Sequence, residues 1–428
     1  MNSISQDSID TLPHSVGNGL SAPHGTAITG VETSRQIIFL SSVFPSLSET
    51  FVFDQFEVLR RAGLPMAIVS NHRPAEHQIH PHMRAIQDQT LYLCDARASE
   101  VLAAHGAALL HYPLRYLRAL CTLPFAEESL RTSMAHLTGA ALLLQRFDHP
   151  PRPRLHVHFT YGAAGVALWA ARLAGIKYSL TLHGADLIYD FPPDLKDKLA
   201  EADALVSISR FNVDFIREKF PLMDPEKIIV IPLGIPPLER AIPQRHGRSG
   251  PLRILNVGRL YIHKAQHHLI DACAILAARG KDFRCDIVGE GSYQTFLEER
   301  IRQHRLEGKV RLLGPKFHHE VLALYGETDL FVLCSITEGM PLVLMEAMRA
   351  GVPVVATAIS AIPELIADGG MLVPPADPLA LANAIERFMA GKLDVAALIE
   401  NARKRIETEF DLETNALKFK AFLETLEA

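Results

Sequence analysis

Two hydrophobic rhythms take turns along this chain: short β-branched runs, then longer stretches with apolar residues three to four positions apart. Gln36-Ile-Ile-Phe-Leu-Ser-Ser-Val43 reads as a strand, Thr50 to Arg61 as an amphipathic helix stopped by Gly63 and Pro65, and Met66 to Ser70 as the next strand. The rhythm continues through strands at Leu155–Phe159, Tyr178–Leu182, Ala202–Ser207 and Ile228–Ile231, with a helix over Ala163–Ala174. Between Ala241 and Pro251 the apolar period is lost and the composition becomes that of a linker. It restarts with the strand Leu252–Val257, the helix His268–Arg279 and the strands Arg284–Val288 and Asp329–Cys334. A helix opening at Pro341 runs to about Ala350, and the β-branched strand around Val354 comes next. Strands alternating with helices predict an α/β fold of two doubly wound, Rossmann-like domains. The expected organisation is a polar, disordered tail over 1–35, domains over 36–240 and 252–408 joined by a linker over 241–251, and a last segment over 409–428. That segment holds a helix from Leu412 to Leu426.

Composition narrows the function. At 428 residues, 48% hydrophobic and 21% charged, the chain has room for two ordinary cores. A formal charge of −5 argues against a nucleic-acid binder, which needs a basic face for phosphates. Five cysteines, odd in number and without a Cys-x-x-Cys pair, predict buried free thiols in a reducing compartment, hence a cytoplasmic protein. The first residues show no basic start followed by an apolar core, so no signal peptide is expected. No apolar run reaches the roughly 18 residues of a membrane span, so any membrane contact is expected to be peripheral.

The richest chemistry lies in Glu338-Gly-Met-Pro-Leu-Val-Leu-Met-Glu346, two carboxylates eight positions apart across a Gly-x-Pro turn. Pro341 has no N–H to lose at a first helical position, so the free amides of Leu342 and Val343 can meet an anion such as a diphosphate. Glu338 sits in the loop before that helix, and Glu346, more than a turn inside, can accept from a sugar diol. Spacing alone fits a loop carboxylate plus a surface Glu equally well. The flanking motifs are more specific. From Asp329 to Val373 the chain resembles the donor-nucleotide half of glycosyltransferase family 4, a retaining family of the GT-B fold. The resemblance rests on the Glu338/Glu346 pair, Gly351-Val-Pro-Val-Val355, Ile362-Pro-Glu-Leu-Ile366 and Gly370-Met-Leu-Val-Pro374, in the family's order, and extends more loosely over Gln36 to Leu426.

The resemblance implies two domains facing across a cleft, with the helix from Leu412 crossing back to the first. It implies a transfer of a hexose-type sugar from a nucleotide diphosphate sugar to a hydroxyl. In Val257-Gly258-Arg259-Leu-Tyr-Ile-His-Lys264 the cations matching Arg259 and Lys264 would grip the diphosphate and stabilise it as it leaves. Glu338, with Gly339 and Met340, would meet the donor sugar, Glu346 the ribose, and the Gly289-Glu290 turn the nucleoside. His183, with Gly184 after it at a strand end, would border the reacting carbon from the opposite domain, with Asp186 orienting it or meeting an acceptor hydroxyl. No Asp-x-Asp occurs, so neither a metal nor any other cofactor is expected. His156 and His158, on one face of a strand, read as structural rather than as metal ligands.

Phe44-Pro-Ser-Leu-Ser-Glu-Thr-Phe51 replaces the glycine-rich loop common in the family and resembles a branch found in exopolysaccharide assembly, including colanic-acid-type transferases. Ser48, Glu49 and Thr50 are explained adequately as a helix cap, with a donor or acceptor contact as the alternative. The expected acceptor is a lipid-linked saccharide, with a simple lipid such as diacylglycerol or ceramide as the runner-up. An epimerase, a phosphorylase or a non-catalytic sugar-nucleotide-binding subunit accounts less well for Arg259, Lys264 and the paired glutamates together. Finally, Ala103 to Phe147 combines apolar helical stretches with Arg115, Arg118, Arg131 and Arg146. That suits contact with an anionic membrane on its inner face, and equally suits core helices snorkelling their arginines.

Overall fold

A computed structural model describes residues 36–426 apart from 47–48, 76–78, 80–82, 190, 239, 241 and 243–249. The expectations for the 1–35 tail, for Ser48 and for most of the 241–251 linker fall outside these residues. Among the described residues, thirteen strands form two sheets. β1 (Ile37–Val43), β2 (Met66–His72), β3 (Thr90–Tyr92), β4 (Arg154–His158), β5 (Tyr178–Leu182), β6 (Ala204–Ser207) and β7 (Ile228–Val230) make the first, in the order 3-2-1-4-5-6-7. β8 (Leu252–Val257), β9 (Phe283–Val288), β10 (Val310–Leu312), β11 (Leu330–Leu333), β12 (Val354–Thr357) and β13 (Met371–Val373) make the second, in the order 10-9-8-11-12-13. Every pairing is parallel.

Both orders reverse direction once, between β1 and β4 and between β8 and β11. A parallel sheet of this kind leaves a crevice at the carboxyl ends of the strands flanking the reversal, because the helices there go to opposite faces. That rule selects four loops: those after β1 and β4 in the first lobe, and those after β8 and β11 in the second.

Strand burial explains the layers. Along β1, Ile38 and Leu40 point into one core with Leu155, Val157 and the helix Gly162–Ala174, while Ile37 and Phe39 point into another. The second core is closed by two helices distant in sequence, Thr50–Arg61 and Leu412–Thr425. Phe419 and Leu423 of the latter are fully buried there, each contributing roughly 1.5–3 kcal/mol. The crossing is fixed where Ile235 N donates to Phe410 O at 3.0 Å, Leu412 N donates to Ile235 O at 3.1 Å, and Arg349 donates to Ile235 O at 2.9 Å.

Several elements differ in detail from the sequence reading. The helix expected to open at Pro341 is Leu342–Ala350, with Pro341 as its cap in extended backbone; a fixed proline φ suits either position. Of the cysteines, Cys273, Cys285 and Cys334 are buried, but Cys94, in the turn Leu93–Asp95 after β3, and Cys121, on the outer side of the helix Pro113–Thr122, are exposed. The stretch from Ala103 to Phe147 resolves into Ala98–His111, Pro113–Thr122 and Leu130–Phe147, stacked outside the helix Gly162–Ala174.

Candidate active site

The two loops beside the reversal in the second lobe are stitched together. After β8, the backbone turns through Gly258 to Lys264; after β11, it runs from Cys334 to Pro341. Ile336 N donates to His263 O at 2.9 Å, Ser335 O accepts from Thr357 Oγ1 at 2.6 Å, and the Cys334 thiol meets Lys264 O at 3.5 Å. On this frame Glu338, only 8% exposed, accepts at one oxygen from Lys264 Nζ at 2.6 Å and from Ser335 Oγ at 2.7 Å. Burying a carboxylate is costly unless it is paired and hydrogen-bonded, and here it is both. The sequence places Lys264 and Glu338 in separate motifs; the structure makes them one unit.

Arg259 is exposed beside them, its guanidinium 5.4 Å from the Tyr261 ring centre. Gly289 and Glu290 form a turn pressed on the same loop: Leu260 N donates to Glu290 O at 2.8 Å and Gly258 N to Val288 O at 3.0 Å. Gly289 has φ +143, and a Cβ there would lie 2.0 Å from Gly258 O, so only glycine permits this approach. Leu344 N closes the first turn of the next helix on Pro341 O at 3.1 Å, which leaves the amides of Leu342 and Val343 ahead of it directed out of the helix start. Glu346 holds His318 Nε2 at 3.2 Å on one oxygen and Tyr325 OH at 3.2 Å on the other, and this pairing raises the imidazole pKa of His318.

Opposite lies the first lobe's edge. His183 comes directly after β5, and its backbone faces Gly339 so closely that a Cβ on Gly339 would lie 2.2 Å from His183 O. A Cβ on Gly184 would in turn lie 3.2 Å from Gly339 Cα. The Glu338 loop and the His183 loop therefore meet backbone to backbone, which is how the two carboxyl edges come to share one crevice. The His183 imidazole is drawn inward: Nε2 pairs with His158 Nδ1 at 3.1 Å, and the ring packs at a tilt against Phe159, with centroids 4.1 Å apart, and Phe51, at 5.1 Å. Its Nδ1 is buried without a protein partner. Burial holds His183 and His156 well below the usual imidazole range and His158 at about 3, so this stack is neutral. His156 meets Ser179 Oγ at 2.9 Å and Thr181 Oγ1 at 3.0 Å, satisfying both nitrogens inside the sheet.

Asp186 accepts from the backbone of His183 and of Thr160, each at 3.0 Å, thereby fixing the turn that presents His183. Burial nevertheless pushes its carboxyl to about 7. Glu49 behaves in the same way. It starts the helix Thr50–Arg61 but makes no capping bond with its side chain, so the cap explanation fails for it. Burial, and then the charge of Asp186, raise Glu49 to about 7. Sequence reasoning undervalues Glu49; the available signal is a carboxylate directly after the first strand's loop, beside the reversal.

The lobes are also tied by Tyr189 OH to Ser360 Oγ at 3.0 Å, and by the Glu364 carboxylate, which accepts from Arg210 N at 2.9 Å and Phe211 N at 3.3 Å. Glu364, from the Ile362-Pro-Glu-Leu-Ile366 motif, thus caps a helix of the opposite lobe. Elsewhere in the first lobe, Glu128, His136 and Asp194 bring ligand atoms within 4.8 Å of one another. Lys198 Nζ, 2.6 Å from Asp194 and 3.4 Å from Glu128, fills the place a cation would take.

Comparison with known proteins agrees with this architecture. The family model described as Glycosyltransferase Family 4 matches residues 48–237, and that described as Glycosyl transferases group 1 matches residues 239–405. A protein of Escherichia coli named as a colanic acid biosynthesis glycosyltransferase, WcaL, is 30% identical over 413 residues, covering 90% of this chain and 98% of its own. The amylovoran biosynthesis glycosyltransferase AmsK of Erwinia amylovora is 36% identical over 270 residues, 60% of this chain and 66% of its own. Among solved structures, sucrose-phosphate synthase from Thermosynechococcus elongatus has a TM-score of 0.68 at 20% identity, over 92% of this chain and 99% of that one. Anabaena HepE, solved with UDP and glucose, has a TM-score of 0.67 at 18% identity, over 92% and 100%. At those identities the structural likeness is one of fold.

Proposed function

Because this chain belongs to the family 4 glycosyltransferases, we propose that it moves a hexose-type sugar from a nucleoside diphosphate sugar to a hydroxyl of a lipid-linked saccharide, with retention, in exopolysaccharide assembly. The observation carrying this reading is the Lys264–Glu338 pair at the second lobe's reversal, held against the His183–Gly184 backbone of the first. The polymer class is taken from the relatives named for amylovoran and colanic acid biosynthesis.

In this mechanism the anomeric C–O bond to the diphosphate breaks and its electron pair leaves on the diphosphate oxygen. The acceptor oxygen forms the new bond on the same face, and its proton passes to the departing phosphate or to Glu49. Charge grows on the leaving group, where Arg259, Lys264 and the amides of Leu342 and Val343 receive it. Those donors neutralise the diphosphate without calling on a divalent cation. Glu338 keeps Lys264 aimed and offers its other oxygen to a sugar hydroxyl. Glu346 takes the ribose diol, while the Gly289-Glu290 turn walls the nucleoside. The His183 Nδ1 and the Glu49 carboxyl border the acceptor side.

A panel of uridine, guanosine and adenosine diphosphate sugars tests the reading without any acceptor, by following slow donor hydrolysis. Uridine donors come first, given UDP in the HepE structure. One base class is expected to be consumed, with the released sugar first appearing as the donor's own anomer by NMR. Turnover that survives Glu338→Ala in a folded protein would remove the assignment.

A further inference from the structure

The outer helices of the first lobe are dressed for a different surface. Leu102 is 74% exposed, Leu110 78%, Leu114 83% and Phe125 87%, with Leu117 and Leu130 more than half exposed. Such side chains are scattered singly on most proteins. Here nine of the 21 large apolar residues found exposed among the described residues fall between 102 and 134, on the consecutive helices Ala98–His111 and Pro113–Thr122, the turn Leu123–Phe125 and the start of Leu130–Phe147.

Charge says what covers them. From Val101 to Ala126 there is no aspartate or glutamate, and the formal charges are Arg115 and Arg118, both exposed, joined by exposed Arg131 beyond the turn. Of the nearby acids, Glu100 accepts from Arg97 N at 2.7 Å and Glu128 lies 3.1 Å from His136 and 3.4 Å from Lys198, while exposed Glu127 is outnumbered by the three arginines. A second copy of this chain would fit poorly. A two-fold interface sets a patch against itself and would set three arginines against three, an excess that Glu127 does not balance. An anionic bilayer offers the complement, acyl chains for the leucines and phosphates for the guanidinia. No described helix is long and apolar enough to cross a membrane, so the helices would lie in the surface plane.

We propose that this leucine and arginine face docks the first lobe on an anionic lipid surface. It rests on the proposed reaction only for the direction it gives the acceptor. The helix Leu130–Phe147 bears exposed Leu130 and Met134 near its start. Its His136 packs against Gly165, and a Cβ on Gly162, the first residue of the helix after β4, would lie 3.6 Å from His136 Nε2. The docking face therefore borders the acceptor side of the crevice, where a lipid-linked saccharide rising from the bilayer would enter.

Flotation with vesicles of equal phosphatidylglycerol and phosphatidylcholine, against phosphatidylcholine alone, tests the docking on the full chain. The protein is expected to float with the anionic vesicles and to be released by salt. Leu114→Asp with Leu117→Asp, both surface changes that leave the core intact, should abolish flotation, and Arg118→Glu with Arg131→Glu should weaken it about tenfold or more. In a Cys94→Ser background, an environment-sensitive dye on exposed Cys121 should shift to the blue on binding. Flotation unchanged in the Leu→Asp variant overturns the proposal, as does absent flotation of the unaltered protein. A concentration-dependent dimer dissolved by Leu114→Asp without lipid would hand the face to a second copy. Acceptor-independent donor hydrolysis should be the same in all these variants; its absence in every one would count against the proposed reaction and leave the flotation result standing.

Discussion

The two edges facing across the crevice solve opposite electrostatic problems. On the second lobe, charge is kept and aimed: Lys264 on Glu338, Glu346 on His318 and Tyr325, Arg259 open to solvent. On the first, charge is suppressed: three buried imidazoles are neutral, and Glu49 and Asp186 are both pushed to about 7. The contrast matches the proposed transfer, in which a diphosphate gathers negative charge on one side while a neutral hydroxyl gives up a proton on the other. An acidic first edge would repel the leaving group, and a neutral second edge would not hold it.

Removing the aimed cation breaks the contrast most severely. Lys264→Ala takes away a donor and leaves Glu338 buried without its partner, so transfer is expected to fall by about 10²–10³-fold in kcat. Steady-state kinetics below the variant's own melting temperature measures it. Pushing the edges apart comes next. Gly339→Ala inserts a Cβ where His183 O already lies, displacing one loop by an ångström or so and costing up to about 10²-fold in kcat/KM. If the loss is geometric, donor affinity by calorimetry should change far less than turnover with acceptor.

The smallest change sharpens the comparison. With a carboxyl raised from 4.5 to about 7, the folded state holds a proton that the unfolded chain has lost between those values, so Glu49 lowers stability as pH rises through that window. Glu49→Gln should therefore raise Tm at pH 8 and leave it unchanged at pH 4, with the Asp186 share remaining. Transfer by the unaltered protein should climb with pH through about 7. The variant should flatten that limb and lose about tenfold at pH 8, the equivalent of ~1.4 kcal/mol. A limb that persists in the variant assigns the proton to another group.

Much of this arrangement is legible in the sequence because it is local. Ile37–Val43, Tyr178–Leu182 and Leu252–Val257 announce themselves by short apolar runs, and the loops after them carry the candidate site residues, where parallel sheets leave a crevice. The illegible part depends on distant segments meeting. Nothing near Gly339 indicates that it touches His183. Nothing in Ile362-Pro-Glu-Leu-Ile366 shows Glu364 reaching the helix at Arg210, and Ser-Glu-Thr looks like a cap until the structure shows the Glu49 side chain making no bond to its own helix. The basic-apolar stretch after Ala103 is readable as amphipathic, but only packing tells which leucines stay outside.

The helix Leu412–Thr425 has a consequence for how the molecule is made. Phe39 and Phe56 belong to strands and helices that emerge early from the ribosome, yet the face they build is closed by Phe419 and Leu423, which emerge after the whole second lobe. The nascent first lobe must wait with an apolar face uncovered, a state that invites aggregation and chaperone capture. Completion of the first lobe thus signals completion of both, and a polypeptide stalled before that helix leaves the first lobe unfinished.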